Sequence, residues 1–150
     1  MEELAQLRTY LEAQRYDEAL VLIGEMEEMA KEDKINKIGS FAIILLLHLI
    51  KQHVEQRSTR SWDVFVRNAV REIERTNKRR NSDGYYASEA DVREILTTVF
   101  PVAINRASLE IHEGRYDSSE IATMIHPEAM ISQAIALILQ NRSANQITTS

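Results

Sequence analysis

Between Val92 and Ile111 the apolar residues Val92, Ile95, Leu96, Val99, Phe100, Ala103, Ile104, Ala107 and Ile111 recur every three or four positions without losing phase. A stripe of this kind belongs to a helix with one buried face. Nothing elsewhere in the chain competes with it, because runs that alternate apolar and polar residues, as a half-buried strand requires, do not occur. Four glycines and two prolines in 150 residues are also too few turn formers for a β-sandwich or barrel. The expected fold is therefore all-α: a single-domain bundle of six or seven helices around a central hydrophobic helix. It would occupy residues 1–141 and leave 142–150 as a disordered polar tail.

The other helices follow from the same spacing. Leu4, Leu7 and Leu11 define a first segment over 2–14. Arg15-Tyr16-Asp17 breaks it, and Asp17 is a suitable N-cap for a second segment with Leu20, Ile23, Met26 and Met29 on one face. Arg115-Tyr116-Asp117 reads as the same break used again, with Asp117 and Glu120 forming a capping box. A third segment, 34–56, is apolar all round at Ile43-Ile44-Leu45-Leu46-Leu47 and is the expected central helix. No Gly or Pro separates it from the second, so either Asp33 caps a new helix or the two are continuous. A fourth begins at Ser61 as N-cap, with Trp62, Phe65, Val66, Ala69, Val70 and Ile73 inward. Asn81-Ser82-Asp83-Gly84 is the clearest loop. The 92–111 stripe passes through Pro101 as a kinked helix or as two that meet there. A short helix at 118–125 stops at His126-Pro127, and Pro127 opens a last helix to Gln140. Expected core positions are Leu20, Ile23, Ile38, Ala42, Leu45, Leu46, Leu49, Trp62, Val66, Val70, Ile95, Val99, Ile104, Ile135 and Ile138.

Composition removes several functional classes. With no cysteine there is no disulfide scaffold, thiolate zinc site, iron–sulfur cluster or Cys nucleophile. No Gly-rich loop suggests nucleotide binding, and Ser, His and Asp occur without the pattern of a triad. The start, Met1-Glu2-Glu3, is acidic where a secretory signal would be basic. The longest apolar run, Phe41 to Ile50, is interrupted by His48 and falls short of the roughly 20 residues that span a bilayer. A cytoplasmic protein with no membrane partner is expected.

Charge is distributed unevenly. The chain carries −5 overall, which gives no global reason to bind nucleic acid. Residues 57–80, however, hold eight basic residues against three acidic ones, a net +5. At about 100° per residue, Arg60, Arg67, Arg71, Arg75 and Lys78 fall together, opposite the Trp62–Ile73 stripe. Such a ridge suits a phosphate backbone or an acidic partner. No aromatic residue lies within it to stack on bases, so a protein partner is the leading expectation and nucleic acid the alternative. Residues 1–33 carry net −7. The ridge points away from its own apolar stripe, so it is better placed to meet an acidic surface of a second subunit than one of its own chain. A homodimer with Arg67, Arg71 and Arg75 at that surface is expected.

Histidines and carboxylates do not assemble a metal site in this reading. Di-iron bundles use Glu-x-x-His on two helices, which is missing. Glu25 and Glu28 share a face of the second segment, and Glu28 would lie roughly 14 Å or about 30 Å along the axis from His48, depending on whether the helices are separate or continuous. His48 falls in phase with Lys37, Lys51, Gln52 and Glu55 and is expected at an interface or partly exposed. Arg106 and His112 form Arg-x5-His, which resembles the Arg-x4–6-His signature of helical HEPN ribonucleases. With 4 His and 13 Arg that spacing is expected by chance, and Ala107 stands where the family usually has a polar residue. Tyr85-Tyr86 is placed beside the loop, packed on helix ends or forming part of a contact surface. No catalytic, cofactor-binding or metal-ligating residue is assigned, and no cofactor is expected.

The run Leu45-Leu46-Leu47-His48-Leu49-Ile50-Lys51, followed by Arg60-Ser61-Trp62 with Arg67 and Asn68, resembles the bacterial domain-of-unknown-function family 29. Glu25-Met26-Glu27-Glu28-Met29 is similar to that family's acidic helix ending, and the likeness covers residues 10–75. Where the family has a Gly near the following turn, this chain has Ala30-Lys31. The resemblance implies a small, helical, cytoplasmic protein and brings no established activity or catalytic residues.

Overall fold

The computed structural model describes residues 2–79 and 83–149, with side chains described through Ala144. Six α-helices and one 3-10 turn make up the described residues, with no strand among them. They are α1 (Glu2–Glu12), α2 (Tyr16–Glu55), α3 (Arg60–Asn77), α4 (Glu89–Glu110), α5 (Ser118–Met124) and α6 (Pro127–Thr149), with the turn at Ile111–Gly114. The chain divides into two compact units, Met1–Lys34 and Ile35–Ser150, where the sequence reading takes residues 1–141 as one.

In the first unit, α1 is followed by a turn in which Gln14 is left-handed (φ 60°) and Arg15 N donates to Tyr10 O at 2.8 Å. Ala19 N donates to Arg15 O, so Arg15 holds the capping position and Asp17 lies inside the first turn of α2. The two Arg-Tyr-Asp breaks thus differ, since only Asp117 caps. The buried residues here are Ala19 and Leu22, with Ile23 and Met26 half-buried. Leu20, expected in the core, is 66% exposed, and Met29, expected on the same face, is 53% exposed. A strict three-residue spacing drifts around the helix, and nine residues at about 100° each put those two on opposite sides.

No break occurs near Asp33; α2 runs unbroken for 40 residues. By length and composition it could cross a membrane, yet 56% of the apolar window is buried within the protein. In the second unit its Ile38, Ala42, Leu45, Leu46, Leu49 and Ile50 form the core together with Val70 and Ile73 of α3, Leu96 and Phe100 of α4, Ile121 of α5, and Ile131 and Ile135 of α6. Gly39 brings α2 close to α4, since a Cβ there would meet Val99 and Ile95 at 3.7 and 3.8 Å. Val66, Ile95, Val99 and Ile104 are half-buried against this cluster.

The helix ends are chemically explicit. Thr59, rather than Ser61, caps α3, its hydroxyl accepting from Trp62 N at 3.1 Å. Ser88 and Asp91 form a capping box on α4, as do Asp117 and Glu120 on α5. α4 passes through Pro101 as one helix. Pro101 cannot donate to the carbonyl of Thr97, but it lies on the exposed side, where water can. His112, Glu113 and Gly114 are all left-handed, with φ of 47°, 59° and 80°, and turn the chain into α5. The segment from Arg142 onward, expected as a disordered tail, continues α6 to Thr149.

Candidate interaction surface

α3 is strongly two-sided. Trp62, Ala69, Val70 and Ile73 are buried on one side, and Arg60, Arg67, Arg71, Arg75 and Lys78 are exposed on the other. The ridge expected from spacing therefore exists as a solvent-facing row. Arg75 stands 3.8 Å from Glu72 one turn away. Among the described residues neither Arg67 nor Arg71 has an acidic partner within ion-pair distance.

Beside that row, α3 and α6 enclose a groove of about 250 Å³ lined by Val66, Arg67, Val70, Arg71, Leu137, Gln140, Asn141 and Ala144. Its floor is apolar, and two ridge arginines form one rim. Asn141 Nδ2 is buried there without a hydrogen-bond partner. Spacing on α3 alone could not reveal the groove, because half of it comes from the end of α6.

The groove has its shape because α6 is clamped to α3. Arg142 donates from Nε and Nη2 to the two carboxylate oxygens of buried Glu74, at 2.9 and 2.8 Å. The bidentate bond raises the Arg142 pKa above its ordinary value, and the guanidinium also lies 3.9 Å from the centre of the Tyr85 ring. Fully buried Asn77 holds the following loop: its amide donates to Ala87 O at 3.0 Å and its Oδ1 accepts from Ala87 N at 2.7 Å. Tyr86 N donates to Asn77 O, and Lys78 pairs with Tyr85 in an isolated bridge. Tyr85 and Tyr86 are half-buried, the latter beneath Arg79. Asp83 and Gly84 of the expected loop lie in this segment, while Asn81 and Ser82 lie outside the described residues.

Three residues of the family resemblance, His48, Lys51 and Trp62, meet at the opposite side of α3. His48, expected at an interface or partly exposed, and Lys51 are buried at a helix interface, because the turn at Arg57–Thr59 folds the start of α3 over them. The His48 ring packs on Phe65 at 4.9 Å. Its Nδ1 lies 2.8 Å from Ile44 O, and since a carbonyl only accepts, Nδ1 carries the proton. Burial, reinforced by Lys51, lowers the His48 pKa, and the bond to Ile44 opposes this. Lys51 reaches Glu110 at 3.3 Å and lies 4.8 Å from the centre of the Trp62 ring, as does Arg57. This cluster ties α2 to α3 and α4. Arg106 is exposed on α4, and exposed His112 sits edge-on to Tyr116 in the left-handed turn.

Neither a curated protein nor a solved structure matches the chain significantly. The family model described as "Domain of unknown function DUF29" matches residues 3–125, extending past both the motif cluster and the 10–75 span of the sequence resemblance. The chain belongs to that family.

Proposed function

We propose that this protein is a non-catalytic protein–protein interaction module that self-associates as a homodimer through the basic face of α3. The observation that carries the reading is the exposed row Arg60, Arg67, Arg71, Arg75 and Lys78, of which Arg67 and Arg71 border a groove with an apolar floor. Exposed ion pairs contribute only about 0–1 kcal/mol each, so a purely charged face would bind weakly. Apolar floor beside charged rim is the combination that gives affinity and partner choice together.

Phosphate binding is the competing use of the same arginines. Stacking on bases would need free aromatic faces within the row, whereas Trp62, Tyr85 and Tyr86 each carry a cation over the ring and lie off it. Sedimentation velocity of the wild type and of R67E/R71E/R75E, at low and high salt and with and without an RNA oligonucleotide, separates the two. The expected result is a wild-type dimer weakened by salt and by the triple reversal, with no shift on adding RNA. An RNA complex lost in the triple variant, without any dimer, would establish the nucleic-acid reading instead. Ribonuclease activity abolished by His112→Ala would overturn the non-catalytic assignment.

A further inference from the structure

The ridge and its groove specify more than a partner of opposite charge. A ligand that fits must offer an apolar side chain to Val66, Val70 and Leu137, with carboxylates on either side for Arg67, Arg71 and Arg75.

The chain carries such an element. Asp17, Val21 and Glu25 are spaced four residues apart on α2 and form one stripe. Val21 is 63% exposed, and it lines a shallow acidic groove with Asp17, Glu18, Glu25, Gln6 and Tyr10. Asp17 and Glu25 are eight positions apart, as are Arg67 and Arg75, so both stripes are about 12 Å long. Among the described residues neither Asp17 nor Glu25 has a basic partner within ion-pair distance, although Glu18 is paired with Arg15. We infer that the Asp17–Val21–Glu25 stripe of a second copy of this chain docks over Arg67, Arg71 and Arg75, with Val21 directed at the groove.

This inference rests on the homodimer reading and names the surface that meets the ridge. Pairing of two acidic N-terminal regions, each of net −7 over residues 1–33, would oppose like charges, and so would pairing of two ridges. Only the crossed arrangement puts opposite charges together. A two-fold axis then uses the contact twice.

Charge exchange tests it, with D17K/E25K reversing the stripe and R67E/R71E/R75E reversing the ridge, all at exposed positions. Each variant alone should self-associate about tenfold or more weakly than wild type in low-salt sedimentation velocity, because both contacts then join like charges. An equimolar mixture should recover a dimer of near wild-type affinity. In the mixed dimer one contact is fully native and the other fully reversed, so both are complementary, and recovery also requires both variants to be folded. If the ridge reversal breaks the dimer while D17K/E25K does not, the ridge meets another surface; the docking inference then falls and the homodimer reading stands. If the two singly weakened variants fail to recover on mixing, the inference also falls. A monomeric wild type, or an RNA complex in place of the dimer, would overturn both.

Discussion

Arg142 lies just past the expected end of the last helix, yet it makes the most demanding contact in the bundle. Its two bonds to Glu74 place a carboxylate and a guanidinium where water is largely excluded. Removing one partner strands the other, which typically costs about 3–5 kcal/mol. Arg142→Ala should therefore lower the urea midpoint markedly, and a midpoint equal to wild type would refute the clamp. The pair was not legible in the sequence because its partners are 68 positions apart. Arg142 also sits in a polar stretch whose composition alone reads as a tail. His48 offers a second test. Its pKa in the folded state lies below the ordinary 6.5, so the unfolded chain takes up the proton first as pH falls. The stability this group contributes is present above about pH 6.5 and is lost progressively below it. Urea midpoints measured between about pH 7 and pH 5 should decline, and His48→Gln should flatten that part of the curve. The helical wheel put His48 on the polar side correctly. It could not show that the next helix folds back over that side.

Elements were the most legible level. The unbroken phase from Val92 to Ile111 marked the α4 segment but left one kinked helix or two open at Pro101, and the all-round apolar run at 43–47 marked the central helix. Leu46, with no exposed surface, should cost about 2–5 kcal/mol on truncation to Ala, read as a drop in thermal midpoint. Boundaries were harder. Thr59 and Ser61 are both good capping residues two positions apart, and only the bond from Trp62 N decides between them. Thr59→Ala should lose about 1 kcal/mol of stability, while Ser61→Ala should change it little. The reverse ranking would contradict the assigned cap. In the acidic N-terminal half of α2 the three-residue spacing misled. It selected Leu20 and Met29, whereas the face that forms uses Ala19 and Leu22. The missing break near residue 33 has a simple cause: the residues there are good helix formers with no Gly or Pro among them.

For the whole molecule, the opposed charges of residues 1–33 and 57–80 are the feature that the family assignment leaves unexplained. The position of the ridge was legible, because a helix with one apolar stripe presents its remaining side chains outward. The groove beside it was not, since it depends on where α6 ends. Exposed charges are screened over about 8 Å at physiological ionic strength, so an association steered by them must weaken as salt rises. The most direct measurement is multi-angle light scattering of the unmodified protein at micromolar concentration, first in low salt and then in high. The expected result is about twice the 17.2 kDa chain mass in low salt, falling toward the monomer as salt rises. A monomer in low salt would contradict the self-association reading.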